Sequence, residues 1–493
     1  MHTELAAWDP GLYFRGGLSG PFPTVAPGKD AALDQQLVKI RFEGRTLTCR
    51  AGTTVAAALW ENGIRTLSHS PKYGRPRGLT CARGHCTACL MRVDGEPNVR
   101  TCERQVREGL EVLRQDSGAF YGPVMQKTLA AGSRLIPVGF YYKWFTRPPF
   151  VSRMFLRGIR PLTGIGRLPD AHAELVPAVP AVPAAGLERW DTVIVGGGAS
   201  GLEAAAATEG SVLILDDQEA PGGHRGLPLD MVAAAGLLEP FPVLAASYRR
   251  LQAARQAFAE RTGATFRGRT KAIAGYRPRG LLLREDDRLM TVECGRLVWA
   301  AGAWDALGLF PGNDLPGLIG PRALYRILAR DGLKAAGSRA LVVGSGRDFW
   351  LSATLLAAAG ATPTLILTGG GDQEEVAGAV ARKWSLHTGL ILGEIRSQGE
   401  TRLSASFIPS GRSARSGSHL DLETDMVVVC APGKPAYDIP YQLGRDYHLG
   451  AHGGHFLPTG CEGRATTGQL PGGLMLEIRG EAAGPGGKQA STP

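Results

Sequence analysis

The chain has 493 residues, a net charge of +10, and 44% hydrophobic against 20% charged residues, a composition that suits two or three folded domains and excludes global disorder. Glycine (68) and proline (33) are abundant but fall short of a low-complexity chain, so tight turns and backbone approached by ligands explain them better. No apolar run reaches the roughly 18 residues of a membrane helix, and the opening MHTELAAWDP lacks the basic and apolar stretches of a signal peptide, so a cytoplasmic protein is expected.

Residues 1–36 show little periodicity and read as an extension. From Leu37 the text changes. LVKIRFEG and RTLTCRAG alternate like two half-buried strands across a Glu43-Gly44 turn, and TTVAAALWENGI has helical spacing behind Thr53 or Thr54 as cap. LMRVDGEP and GLEVLRQD read as further strands, so residues 37–116 are expected to form a β-grasp domain. Its loop carries Cys81, Cys86 and Cys89 in a C-x4-C-x2-C run, with Cys102 farther on. This is the spacing of plant-type 2Fe-2S ferredoxins, in which four thiolates surround two irons. Gly84, Thr87 and Ala88 are small enough to let the loop curl and turn its amides toward sulfur. Zinc is the competing reading, but zinc motifs usually pair two short Cys runs and here the fourth ligand stands alone. Cys49, Cys294, Cys430 and Cys461 are scattered and read as buried small hydrophobes.

Residues 37–170 carry a net charge of +13, so the basic character belongs to this part of the chain. Such an excess is either a solvated surface or a docking face for an acidic protein partner; nucleic acid is not expected. Residues 117–188 read as a linker, helical and aromatic around Leu135 to Phe145 and then dissolving into PAVPAVPAAG, whose spaced prolines favour extended chain.

Past Trp190, apolar strands alternate with alanine-rich helices, the text of doubly wound α/β folds. A first dinucleotide unit is expected over 189–325, a second over 326–424, and a return to the first over 425–493. DTVIVGGGASGLEAAAA places Gly196, Gly198 and Gly201 between a strand and a helix, where they serve the tight turn, backbone approach to pyrophosphate and close helix–strand packing. The next strand, VLILDD, brings Asp216 to the distance at which a carboxylate holds ribose hydroxyls. The second unit, ALVVGSGRDFW, keeps Gly344 and Gly346 but has Phe349 in place of the third glycine, and Asp348 is expected to put negative charge near the phosphate position. No working nicotinamide site is expected there; an altered turn that keeps NAD or another adenine nucleotide for structure is the alternative.

Several of these stretches resemble one family. HSPKYGRPRGLTCARGHCTACLMRVDGEPNVRTC resembles the small iron–sulfur component of the hydrogen cyanide synthase and opine oxidase group, and LIPVGFYYKWFTRPP resembles a linker in the alpha subunit of heterotetrameric sarcosine oxidase. WAAGAWDALGLFPGNDLPGLI and PGGLMLEIRGEAAG resemble that group's second and closing flavin motifs. The resemblance implies an α/β chain with an N-terminal 2Fe-2S domain before a two-dinucleotide-binding, glutathione-reductase-like fold. It implies FAD held by Gly196, Gly198, Gly201 and Asp216, with Gly222, Gly223, Ala301 and Gly302 nearby and Gly480 and Glu481 near the ribityl chain. It further implies a second flavin, FMN, at a contact between subunits, and an amino-acid-oxidase-like beta subunit, with further small subunits, that oxidises an amine or amino acid such as sarcosine, proline, hydroxyproline or an opine. Unlike the sarcosine oxidase alpha subunit, this sequence keeps the cluster cysteines and shows no folate-binding half, so one-carbon transfer to folate is not expected.

The leading expectation is therefore an electron-transfer alpha subunit of an FAD-dependent amine dehydrogenase or oxidase, with the substrate and electron acceptor unspecified. A self-contained NAD(P)H-dependent reductase and a non-enzymic assembly scaffold are the rivals. No catalytic residues are assigned; His224, His448, His452 and His455 stand near glycine turns and read as surface or core histidines.

Overall fold

The computed structural model describes residues 36–70, 75–115, 131–132, 147–162, 187–276, 278–285, 288–369, 372–410, 419–450, 456–459, 466–470 and 473–483. The N-terminal extension, the aromatic text around Leu135 to Phe145, PAVPAVPAAG, Cys461, His452 and His455 lie outside them. Within the linker, Pro149–Leu162 is a helix. None of the described helices is long and apolar enough to cross a membrane.

The strands Leu37–Phe42 and Arg45–Arg50 pair as an antiparallel hairpin, Leu37 opposite Arg50. Glu43 and Gly44 turn it, both with positive φ. Alternation buries Val38, Ile40 and Phe42 on one face, as a half-buried strand requires. The helix Val55–Glu61 starts at Thr54, whose hydroxyl accepts from the Ala57 amide at 3.4 Å, and so supplies the first turn with a partner. Glu111–Arg114 lies parallel to Leu37–Phe42, and Leu90–Val93 and Glu96–Arg100 complete a five-stranded mixed sheet. A mixed sheet crossed by one helix is the expected β-grasp arrangement.

The rest of the chain builds two further sheets. In the first, Ala264–Arg267, Val212–Leu215, Glu188–Val195 and Arg288–Trp299 stand side by side in parallel, and two antiparallel strands, Gly280–Glu285 and Thr270–Tyr276, extend them. The chain leaves at Trp299 and returns much later as Met475–Ile478, parallel to Arg288–Trp299. The second sheet is parallel throughout, in the order Leu318–Ile319, Met426–Cys430, Arg339–Gly344, Thr362–Leu367, Ser385–Thr388. A three-stranded antiparallel sheet of Leu390–Ser397, Leu403–Pro409 and Leu420–Thr424 stands beside it. Parallel strands are covered on both faces, which explains the fully buried runs Val193–Ile194, Leu213–Ile214 and Val427–Val428.

The pairing differs from the sequence boundaries at two places. Leu318–Ile319 and Met426–Cys430, assigned by the sequence to the two parts of the first unit, hydrogen-bond into the second unit's sheet. The strand Met426–Cys430 is a continuous apolar run with no turn signal at 424/425, so only its partner reveals which sheet it joins.

Candidate cofactor cradle and cluster loop

The first glycine turn follows Glu188–Val195 and opens the helix Ala199–Ala206. Gly196 has φ +109°, and a Cβ there would stand 2.2 Å from the Ala300 carbonyl; one at Gly201 would stand 1.8 Å from the Gly196 carbonyl. These two glycines are demanded by the packing of the turn. Gly198 is different: a Cβ on it would meet nothing nearer than the Gly223 Cα at 4.0 Å. At Gly302, likewise, a Cβ would find only Glu481 and His224 atoms at 3.9 Å. The space over both is open; Gly302 has φ +75°, which itself favours glycine, whereas at Gly198, with φ −72°, close backbone approach by a ligand accounts for the glycine.

All ten residues assigned to the dinucleotide from the sequence fall around this turn. Gly222 N–H donates to the Gly197 carbonyl at 2.8 Å, and Gly223 abuts the Gly198 backbone. Ala301 lies against Gly196, Gly302 faces Glu481, and Gly480 packs on Ser200. Asp216 closes the group, accepting from the Gly197 amide at 2.5 Å and the Gln218 amide at 2.8 Å. Burial, and then the neighbouring Asp217 charge, lift its pKa to about 7. His224 Nε2 is buried without a protein partner among the described residues. Burial, and then Arg225 and Arg322, push the His224 pKa far down, so the ring is neutral. An orphaned imidazole nitrogen beside open glycine backbone fits a large polar ligand such as a dinucleotide.

Arg225 and Arg322, which meet acids here, were not found from the sequence. Glu481 accepts from Arg225 Nη2 (2.6 Å), Arg347 Nη2 (2.8 Å) and Arg322 Nη2 (2.8 Å). Against the pull of burial, Arg225 and Arg322 hold its carboxyl below the usual range. Asp348 takes a two-point bond from Arg225, Nε and Nη2 both at 2.7 Å, and a third from the Tyr325 hydroxyl at 3.1 Å. Its charge is therefore neutralised by Arg225 rather than left facing a phosphate as expected. Phe349 is fully buried and packs edge-on against Trp350.

One short helix organises much of this charge. Pro321–Tyr325 continues into a wider turn, Arg326–Arg330, and places Arg322, Arg326 and Arg330 four residues apart on one side. Arg322 bonds Asp305 and Glu481, Arg326 bonds Asp217 at 2.6 Å, and Arg330 reaches the Cys102 carbonyl at 3.3 Å. The spacing RALYRILAR was the available signal, although it gives a shared face and no partners.

In the cluster loop, Cys89 and Cys102 are buried and Cys81 and Cys86 half-buried. The loop curls through positive φ at Ala82 and Gly84. Cys81 Sγ accepts from the Arg83 and Cys86 amides, both at 3.4 Å, and Cys102 Sγ from the Gly84 amide at 3.2 Å. Bonds from the Cys102 and Cys86 thiols hold the Cys81 thiol well below its usual range, and the two thiols that give them are raised. No three or more His, Cys, Asp or Glu among the described residues gather about a single metal-ion position. A donor set of four thiols with amides aimed at sulfur fits a two-iron cluster. Cys49, Cys294 and Cys430 are buried. Burial raises the thiols of Cys49 and Cys294 to about 11 and about 12, which suits inert packing groups.

Residues 35–117 match the family described as a 2Fe-2S iron-sulfur cluster binding domain. The sarcosine oxidase subunit alpha of Rhizobium meliloti is 28% identical over 344 residues, which make up 64% of this chain and 33% of that protein. This chain thus spans about a third of that relative's length. The hydrogen cyanide synthase subunit HcnA of Pseudomonas aeruginosa is 36% identical over 73 residues, 15% of this chain and 69% of that protein. Among solved structures, an L-proline dehydrogenase from P. horikoshii shares the fold, with a TM-score of 0.53 and 16% identity over 91% of this chain and 69% of that one. The matched residues assign the chain to the sarcosine oxidase alpha and hydrogen cyanide synthase HcnA/HcnB-like family with a 2Fe-2S domain.

Proposed function

We propose that the chain is the electron-transfer alpha subunit of a multi-subunit flavin-dependent amine or amino-acid dehydrogenase or oxidase. The observation that carries this reading is the presence, in one polypeptide, of an open glycine cradle and a four-cysteine loop. FAD, when bound, accepts a hydride and releases electrons singly, which is what a one-electron 2Fe-2S centre requires. On this reading Gly198 and Gly302 give the backbone clearance for the dinucleotide, and Gly196, Gly201, Gly222 and Gly223 shape its turn. Asp216 holds the ribose, Ala301 lies nearby, and Gly480 and Glu481 stand near the ribityl chain. Cys81, Cys86, Cys89 and Cys102 ligate the irons, and the Arg83, Gly84 and Cys86 amides tune their sulfurs. The amine is oxidised on a flavin of an amino-acid-oxidase-like beta subunit, with FMN at the subunit contact. Similarity to a sarcosine oxidase alpha subunit supports this assembly.

The fate of the second glycine turn favours this reading over a self-contained NAD(P)H reductase, because Arg347 and Asp348 are already engaged by Glu481 and Arg225. Expressed alone, the chain is expected not to oxidise sarcosine, proline, hydroxyproline or opines, and to gain that activity with a beta subunit. Reduction of the isolated chain by an amine at the rate of the complex contradicts the reading; rapid bleaching of its flavin by NADH supports the reductase instead.

A further inference from the structure

The cluster loop is held against the dinucleotide unit of its own chain at several separate points. Arg83, two residues past Cys81, pairs with Asp217 at 3.4 Å and lies 4.7 Å from the Trp304 ring centre. Asp217 adjoins Asp216 at the end of the strand that borders the glycine turn, and it also takes Arg326 at 2.6 Å. Against the pull of burial, Arg326 and Arg83 hold it ionised. Glu103, next to Cys102, is bonded by Lys271 and by Arg284 at 3.3 Å, and Lys271 Nζ donates to the Arg83 carbonyl at 3.2 Å. Arg330 donates to the carbonyls of Cys102 and Ala82. Finally His85, immediately before Cys86, stacks on Trp304 with ring centres 3.8 Å apart and planes 10° from parallel.

Trp304 stands two residues beyond Gly302, and its strand Ala303–Trp304 pairs with Lys434–Pro435. The indole therefore joins the two candidate sites, with the cluster loop on its ring and the cradle two residues up its own backbone. The charged contacts have partly buried members on both sides, Arg83 and Asp217 above all, 14% and 15% exposed, so they resist screening better than surface pairs. They bind the loop to the body from three directions, with Asp217, Glu103 and Arg330 as anchors. The outer side of the loop is different: Thr87 and part of His85 are exposed.

We propose that the cluster loop is a fixed relay seated on its own chain's dinucleotide cradle, and that Trp304 is the positioning residue that sets the coupling between them. This rests on the functional reading above. With both groups bound, each step would move one electron from reduced flavin held by the cradle to a ferric iron held by Cys81, Cys86, Cys89 and Cys102, which would become ferrous, with the accompanying proton released to solvent. A one-electron acceptor at the exposed side of the loop takes it onward.

The test uses the full chain carrying its cofactors. A pulse of photoreduced one-electron dye is followed at flavin and cluster wavelengths over a range of protein concentrations, with wild type, Trp304→Phe and Trp304→Leu compared at measured flavin and iron content. The expected result is a flavin-to-cluster phase whose rate does not depend on protein concentration. It is nearly kept in Trp304→Phe, where an aromatic face remains for His85, and slowed at least several-fold in Trp304→Leu, with an altered reduced-state EPR line shape in the leucine variant. A phase proportional to protein concentration overturns the fixed seat. Trp304→Leu with full cofactors, wild-type rate and unchanged EPR overturns the role of the indole. Wild-type protein lacking flavin or iron instead overturns the functional reading and takes this inference with it.

Discussion

The two strand–glycine turn–helix units are close in text and opposite in use. In the first, a Cβ on Gly198 would enter open space, the Asp216 carboxyl bonds the turn's own amide, and an unpartnered imidazole stands nearby. In the second, Phe349 is core, and Arg347 and Asp348 grip Glu481 and Arg225 of the first unit. The same local fold supports a cradle in one case and a clasp between units in the other. A turn motif specifies backbone shape; the side chains at its variable positions decide whether the mouth stays open.

The largest expected difference between the two turns is in flavin retention. Gly198→Val fills the clearance over the first turn without backbone strain, since Gly198 has φ −72°, and is expected to strip flavin from folded protein. Gly346→Ala, at φ +76°, costs about 1 kcal/mol or more of stability and leaves flavin per folded chain unchanged. Equal flavin loss in both variants would erase the distinction.

Next in size is the clasp. Asp348→Ala leaves the buried Arg225 with one acid in place of two, and a loss of about 3 kcal/mol in denaturant unfolding is expected. Calorimetry should detect no gain in NAD affinity in Asp348→Asn. Micromolar NAD binding by that variant would mean that the aspartate had been guarding a working nucleotide site.

A smaller effect is the pH response of the first turn. Asp216 in the folded chain binds its proton more tightly than the unfolded carboxyl, whose pKa is near 3.9. Its contribution to stability is thus present below about pH 4 and lost as pH rises through about 7, by at most about 4 kcal/mol. Asp217 is shifted the other way, so its contribution is lost only in acid, outside this window. Flavin-free protein should therefore lose stability between pH 4 and 7 relative to Asp216→Asn; parallel unfolding curves for the two would contradict the assignment.

The difference between the turns also shows what sequence can reveal. Strand, turn and helix of both units follow from apolar runs and glycine spacing, and the cluster cysteines from their intervals, because each signal lies within about thirty residues. The clasp does not, because Arg225, Arg322, Arg347, Asp348 and Glu481 come from four distant stretches, and a charged side chain in a sequence has no visible partner. Leu318–Ile319 is too short to have a period, so its place at the edge of the second sheet emerges only from pairing. In the Asp216-Asp217 doublet the first acid belongs to the turn, as its spacing suggests, and the second anchors the cluster loop, which no local pattern shows.

The central claim, that one chain unites a flavin cradle with a two-iron loop, is tested most directly by the cofactor content of freshly isolated protein, with Cys86→Ser and Gly198→Val as paired controls. The account predicts one flavin, two iron and two sulfide per chain, with a rhombic reduced-state EPR signal, iron lost selectively in the serine variant and flavin lost selectively in the valine variant. Stoichiometric zinc without iron, or flavin retained in full by Gly198→Val, would contradict it.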